Sequence, residues 1–386
     1  MTDNEPRPLH VNPLSWPFIA AATASDAVAT YFNDLAHAVI DEPALPELSW
    51  ATQNCVALEL ATVRLRDFST SSSGVPTLIC APFALHGATI ADFAPNHSLI
   101  QALRKAGLTR VFLTEWRSAG PEMRWLSIDN YLADLNVIVD AFGAPVDLIG
   151  LCQGGWMALI YAARFPAKVR RLVLAGAPVD IRAAESWMSD VARRTPLSAF
   201  DELVRLGGGR VLGRHVLELW GATLEAEESV RVLQLSRACD ADDRAELEHR
   251  FHEWYAWTLD LPGTYYLQVV SWLFMENRIA EGSFVALGRR IDLASLKIPV
   301  FLIAGREDSL VSANQLLATA RLIGTPETEI ESAVEPCAHL SLFVGQETLA
   351  HVWRRVAAWL NRDPLIELRA DQAIRTYAPG ASARAG

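Results

Sequence analysis

The sequence predicts an α/β fold: a mostly parallel central sheet covered by helices on both faces, interrupted once by a helical cap insertion. Three observations carry this prediction. Short, continuously apolar runs rich in β-branched residues alternate with helical stretches, as expected of strands buried on both faces. One such run enters a glycine-rich turn that opens at once into a helix. The alternation stops over residues 182–290 and then resumes.

The elements follow in order. Residues 55–68 (CVALELATVRLRDF) alternate enough to be strand-like, and the polar run Ser69 to Gly74 is a turn. Further strands are expected at 77–81, 110–115, 146–150, 171–176, 299–304 and 328–334. Helices are expected at 96–106, 129–142, 153–165, 312–322 and 346–360. The stretch 182–290 has many charges, no clear strand run and five of the twelve tryptophans: Trp187, Trp220, Trp254, Trp257 and Trp272. An insertion at this point of the chain lies over the carboxyl ends of the strands, where open α/β sheets bind ligands. Upstream, residues 17–39 read as a helix, with Val28, Phe32, Leu35 and Val39 on one face and Pro43 and Pro46 beyond its end. That helix either packs on the main domain or docks on a partner or an apolar surface. The division is a leader and helix over 1–54, a core over 55–181 and 291–362, a cap over 182–290 and a tail over 363–386.

Composition narrows the function classes. The 386 residues carry a formal net charge of −11, and 51% are hydrophobic. A chain this apolar folds rather than staying disordered. An acidic chain without a Lys/Arg block offers no counter-charge for nucleic-acid phosphates. No apolar run approaches the ~20 residues of a membrane span. Five cysteines, at 55, 80, 152, 239 and 337, form no CxxC pair, so neither a zinc site nor a disulfide framework is expected. No metal and no cofactor are expected, and the reducing cytoplasm is the expected compartment.

The chemistry concentrates in Val146-Asp-Leu-Ile-Gly-Leu-Cys-Gln-Gly-Gly-Trp156. An apolar strand runs into Gly150-Leu151-Cys152-Gln153-Gly154 and a helix follows, a G-x-S-x-G pattern with cysteine in place of serine. This is the nucleophile elbow of the α/β-hydrolase fold, in which a strained strand-to-helix turn projects the nucleophile above the sheet. The helix N-terminus favours a thiolate at Cys152, and the Gln153 amide is placed to stabilise an oxyanion. A nucleophile needs a base, and the base needs an orienting acid. In this fold the chain order is nucleophile, acid, base. Asp308 closes Gly305-Arg-Glu-Asp308 after the strand at 299–304, and His339 follows the last strand in Pro336-Cys337-Ala338-His339. Glu307 and Asp180 are rival acids. Pro82-Phe83-Ala84, after the strand at 77–81, should supply the second oxyanion amide, with Phe83 the choice. His86 reads as a loop-shaping residue and Cys337 as an inert packed thiol.

A cysteine at the elbow also points to a substrate class. A thiolate that attacks an oxoester makes an intermediate from which the thiolate leaves more readily than the alkoxide, because a free thiol has a pKa of ~8.5. With a thioester both leaving groups are thiolates and exchange is nearly balanced. Cys152 therefore suits acyl transfer from a thioester such as an acyl-CoA, and an aromatic-rich cap suits water exclusion.

Leu148 to Trp156, continuing through Tyr161-Ala-Ala-Arg-Phe-Pro166 to Arg171-Leu-Val-Leu-Ala-Gly-Ala-Pro-Val-Asp180, resembles the catalytic core of polyhydroxyalkanoate synthases, especially the short class that works with a second subunit. Asp92-Phe-Ala-Pro-Asn-His-Ser98, Glu115-Trp-Arg117, Trp257-Thr-Leu-Asp260 and Glu276-Asn-Arg-Ile-Ala-Glu-Gly282 are similar too, so that the resemblance spans roughly residues 75–362. It implies Cys152 as nucleophile, Asp308 as acid, His339 as base, a cap over the site and a dimer. The implied reaction is transfer of 3-hydroxyacyl groups from CoA thioesters to a growing polyester. The implied partners are acyl-CoA or polyester, a second copy or second synthase-type subunit, and a polymer granule surface. Two positions depart from the family. Ser309 follows the acid where histidine is typical, and Trp156 stands where a small residue is usual. The indole either narrows the site or packs beneath it. The enzymatic alternative is a hydrolase acting as an intracellular polyester depolymerase, esterase or acyl-CoA thioesterase. The non-enzymatic alternative is a granule-associated binding protein.

Overall fold

A computed structural model describes residues 49–219, 226–235 and 239–362. The helix expected at 17–39 and the tail from 363 lie outside the described residues. Eight strands form the central sheet: β1 (Cys55–Glu59), β2 (Val63–Asp67), β3 (Thr77–Cys80), β4 (Val111–Trp116), β5 (Val146–Leu151), β6 (Val169–Ala175), β7 (Val300–Gly305) and β8 (Ile330–Glu335). Their spatial order is β1-β2-β4-β3-β5-β6-β7-β8. All neighbours are parallel except β2, which runs antiparallel to β1 and β4. The expected fold class, an α/β-hydrolase fold with a mostly parallel sheet, is the one observed.

The central strands are fully buried along their length in β3, β5 and β7. Helices cover both faces, which is why these strands read as continuous apolar runs. β8 pairs only with β7 and alternates between half-buried and exposed positions, as an edge strand does. Registers are regular in the centre of the sheet. Ile149 lies beside Ile79 on one side and Val173 on the other.

Four sequence expectations change in detail. Residues 55–68 are two antiparallel strands, β1 and β2, because the chain reverses at Leu60, whose N–H donates to the Val63 carbonyl. The helix expected from 96 begins at Leu99, since Asp92–Ala94 pairs with His97–Ser98 and Ser98 caps the helix by accepting from Gln101 N–H. The helix expected over 312–322 is split into Ala313–Leu317 and Thr319–Leu322. The segment 182–290 is mainly helical but holds two short ladders, Arg210–Val211 with Leu261–Pro262 and Val285–Ala286 with Arg289–Arg290. Two-residue strands are too short to leave a periodic signal.

This segment leaves the core after β6 and returns before β7. Its helices include Trp187–Arg194, Leu197–Leu206, Ala241–Ala256 and Gly263–Gln268, the last running directly into a π-helix, Val269–Met275. Backbone bonds join it to the core. Leu259 N–H donates to the Leu85 carbonyl, and Trp187 N–H donates to the Ser309 carbonyl at 2.9 Å. Asp180 accepts from Asn277 and Arg321, tying the cap to the strand ends.

One buried charge sits inside β5. The Asp147 carboxylate takes a forked pair of hydrogen bonds from Arg170, whose guanidinium also reaches the Leu360 carbonyl at the end of the last helix. Removing one member of such a pair strands the other. Arg170 keeps some solvent contact, so Asp147→Ala should lower unfolding free energy by about 1–3 kcal/mol, seen as a reduced urea midpoint with unchanged slope.

Candidate active site

β5 ends at Leu151 and the helix Gln153–Arg164 begins two residues later, so Cys152 alone makes the turn. Its backbone lies at φ 48° and ψ −118°, a conformation that costs an L-residue energy and persists only where its surroundings hold it. Two bonds do so: Cys152 N–H donates to the Ala175 carbonyl at 2.8 Å, and the Cys152 carbonyl accepts from Gly155 at 2.9 Å. The turn also presses the new helix against β3. A Cβ on Gly154 would stand 2.2 Å from the Cys80 carbonyl oxygen, so only glycine fits.

Parallel pairing of β7 with β8 places the two following loops side by side. Arg306 N–H donates to the Glu335 carbonyl and Glu307 N–H to the Cys337 carbonyl. Asp308 and His339 emerge from these loops. The Asp308 Oδ1 atom accepts from the N–H groups of Leu310 at 2.9 Å and Val311 at 2.8 Å. Its Oδ2 faces His339 Nδ1 at 2.6 Å. On its other side His339 lies close enough to Cys152 for the two side chains to interact. Burial opposes the charged imidazolium, yet the Asp308 carboxylate bonded to it and the Cys152 side chain nearby raise His339 well above the usual histidine range. A half-buried thiol, an imidazole and a buried carboxylate in this sequence of contacts are the parts of a nucleophilic relay.

The two expected oxyanion amides come from the loop after β3 and the residue after Cys152, and Phe83 and Gln153 line one cavity. Beyond β3 the Ala81 N–H is taken by Thr114 Oγ1 at 3.0 Å, and Pro82 has no N–H. The Phe83 N–H is therefore the first free donor of that loop, and it meets no acceptor among the described residues. The Gln153 N–H is likewise without a backbone acceptor there. An apolar cavity of about 110 Å³ begins at this point. Phe83, Leu85, Gln153, Met188, Tyr265 and Phe274 are among its walls.

The rivals fall elsewhere. Glu307 is exposed. Asp180 is occupied by Asn277 and Arg321. His86 packs against the rings of both Trp254 and Tyr255, at 4.5 and 4.8 Å, and burial pushes its pKa down to about 4 against the bond to the Trp257 carbonyl. It is a neutral wedge in the loop. Burial pushes the Cys337 thiol up to about 11, so it is a poor nucleophile. Trp156 packs beneath the site, against Phe284 at 6.2 Å. Among the described residues no group of three or more His, Cys, Asp or Glu side chains is placed to hold a metal ion.

Two contributors left no clear signal in the sequence. Tyr265, from the insertion, donates to the Phe83 carbonyl at 3.4 Å and so braces the loop after β3. Nothing local to LPGTYY announces a partner 182 residues away. Gly176, at φ +57°, follows β6, and a Cβ there would stand 3.1 Å from His339 Cε1. Its only trace in the sequence is a glycine closing an apolar run. Gly176→Ala should push the ring off Cys152. We expect at least about tenfold slower alkylation of Cys152 by iodoacetamide, mapped by mass spectrometry, because the thiolate loses its stabilising cation.

The alpha/beta hydrolase fold family model matches residues 36–346. The chain is similar to the poly(3-hydroxyalkanoate) polymerase subunit PhaC of Synechocystis sp., 28% identical over 287 residues, which covers 70% of this chain and 73% of that protein. The corresponding subunit of Allochromatium vinosum is 26% identical over 277 residues, covering 70% of this chain and 76% of its own length. That of Haloferax mediterranei is 26% identical over 283 residues, and the match spans only 55% of that protein. Among solved structures, an epoxide hydrolase of Bacillus megaterium superposes with a TM-score of 0.52 at 16% identity, covering 80% of this chain and all of that one (100%). A monoacylglycerol lipase of Paleococcus ferrophilus gives 0.50 at 18% identity, covering 77% and 98%. The chain belongs to the α/β hydrolase fold family and is a distant relative, at 23–28% identity, of the PhaC polymerase subunits.

Proposed function

We propose that this protein is an acyltransferase that moves 3-hydroxyacyl groups from CoA thioesters to a growing polyester, with Cys152 as nucleophile, His339 as proton carrier and Asp308 as its orienting acid. The observation that carries the reading is a sulfur at the elbow beside a histidine that is bonded through Nδ1 to a buried carboxylate, which favours its protonated form. The Cys152 thiolate attacks the thioester carbonyl. The oxyanion that forms is met by the N–H groups of Gln153 and Phe83. Collapse expels the CoA sulfur, which takes the proton from His339 and leaves an acyl-cysteine. Neutral His339 then removes the proton from the hydroxyl of the acceptor chain as that oxygen attacks the acyl-cysteine. Cys152 leaves as thiolate, and His339 is again protonated. The cap and the apolar cavity limit water, which would otherwise end the chain as free acid.

Incubation with 3-hydroxybutyryl-CoA, following thiol release and product solubility together, tests the reading. Thiol release with insoluble polymer supports it. Thiol release with soluble acid makes the protein a thioesterase, and breakdown of added polymer without CoA makes it a depolymerase. Cys152→Ala should form no acyl-enzyme detectable by intact mass, and turnover undiminished in that variant would remove the nucleophile assignment.

The pH dependence has a definite sign. The Asp308 carboxylate beside it raises the His339 pKa above the usual histidine range, so the imidazolium is lost at higher pH than from a free imidazole. The alkaline limb of the acylation profile therefore reports His339. In Asp308→Asn the anion that supports the imidazolium is gone, so that limb should move to lower pH. A limb that stays in place would show that Asp308 does not set the charge of His339.

A further inference from the structure

Trp156 and Gln153 form a pair that the acyl-transfer reading does not use. The indole Nε1–H donates to Gln153 Oε1 at 2.6 Å. An indole nitrogen only donates, so the atom facing it must be the carboxamide oxygen, and the side-chain NH2 is turned away. Trp156 is 0% exposed and packed against Phe284, so the clamp cannot swing aside. Gln153 itself is 7% exposed and forms part of the cavity wall. Among the described residues nothing accepts a hydrogen bond from its NH2 group. The other walls are chiefly aliphatic and aromatic carbon, and the Tyr265 hydroxyl is spent on the Phe83 carbonyl. Two N–H donors are thus held, unpaired, at the edge of an apolar cavity one residue after the Cys152 sulfur.

We infer that the clamped Gln153 carboxamide reads the acyl group: it selects acyl chains that carry an oxygen acceptor a few atoms from the carbonyl, a hydroxyl or a chain ester, over plain saturated acyl chains. This rests on the acyl-transfer reading above. An acyl chain joined to Cys152 starts beside Gln153, and Gln153 is a wall of the cavity, so that cavity is the space we assign to the chain. A hydroxylated or ester-bearing chain gives the NH2 group its acceptor. A saturated chain covers the same donors and leaves them without one, which a buried polar group does not tolerate.

The test compares acylation of Cys152 in the full-length protein by 3-hydroxybutyryl-CoA and butyryl-CoA, and by the 4-nitrophenyl esters of the same two acids. Wild type should favour the hydroxylated acyl group. In Gln153→Met, which keeps the length and loses the donors, the preference should fall about tenfold. In Trp156→Phe, where the carboxamide is free to turn, it should fall by roughly threefold, and this variant carries the test if Gln153→Met does not fold. A 3-methoxybutyryl thioester, which keeps the acceptor oxygen and loses the hydroxyl proton, should be used nearly as well as the hydroxylated one. Wild type without preference, or variants with the wild-type preference, would overturn the inference and leave the acyl-transfer reading standing. If neither donor class acylates Cys152, both fall together.

Discussion

The carboxylate of Asp308 is the interaction on which the site depends. It is buried, and its burial is tolerable because three donors meet it: two backbone N–H groups on one oxygen and His339 on the other. Its charge favours the protonated form of His339, the side chain that stands next to the sulfur. The carboxylate is where it is because β7 and β8 are parallel neighbours whose following loops are joined by two backbone bonds. Sheet topology thus brings together two side chains that are 31 residues apart in sequence.

The cap supplies more than a lid. Tyr265 reaches down to the Phe83 carbonyl, and Leu259 bonds the Leu85 carbonyl, so the loop after β3 is held from above as well as from the core. The π-helix Val269–Met275 follows directly on the helix bearing Tyr265. Its wider turn brings Val269, Val270 and Phe274 to the same cavity as Tyr265 and Tyr266. The site is therefore a composite. The sulfur, imidazole and carboxylate come from the sheet, while much of the cavity wall comes from the insertion.

Much of this was legible in the sequence, for reasons that differ by element. β3, β5 and β7 announced themselves because strands buried on both faces must be continuously apolar. Cys152, Asp308 and His339 were legible from chain order, since each follows a strand at the same edge of the sheet. The cap's interior was not. Its helices bury through long-range pairs such as Tyr265 with Phe83 and Asp180 with Asn277, and its two-residue ladders are too short for periodicity. The break near Ala318 was invisible because TARL reads as helix, and only the Ser312 cap and the bond from Ala318 N–H to Asn314 define the first piece.

The bond from Trp187 to Ser309 has a consequence for how this chain tolerates change. The cap's first helix is moored to the acid loop through a main-chain carbonyl, and the Ser309 side chain is exposed. A mooring of that kind is blind to residue identity. Any L-residue at position 309 can supply that carbonyl, so a substitution there leaves the anchorage as it was.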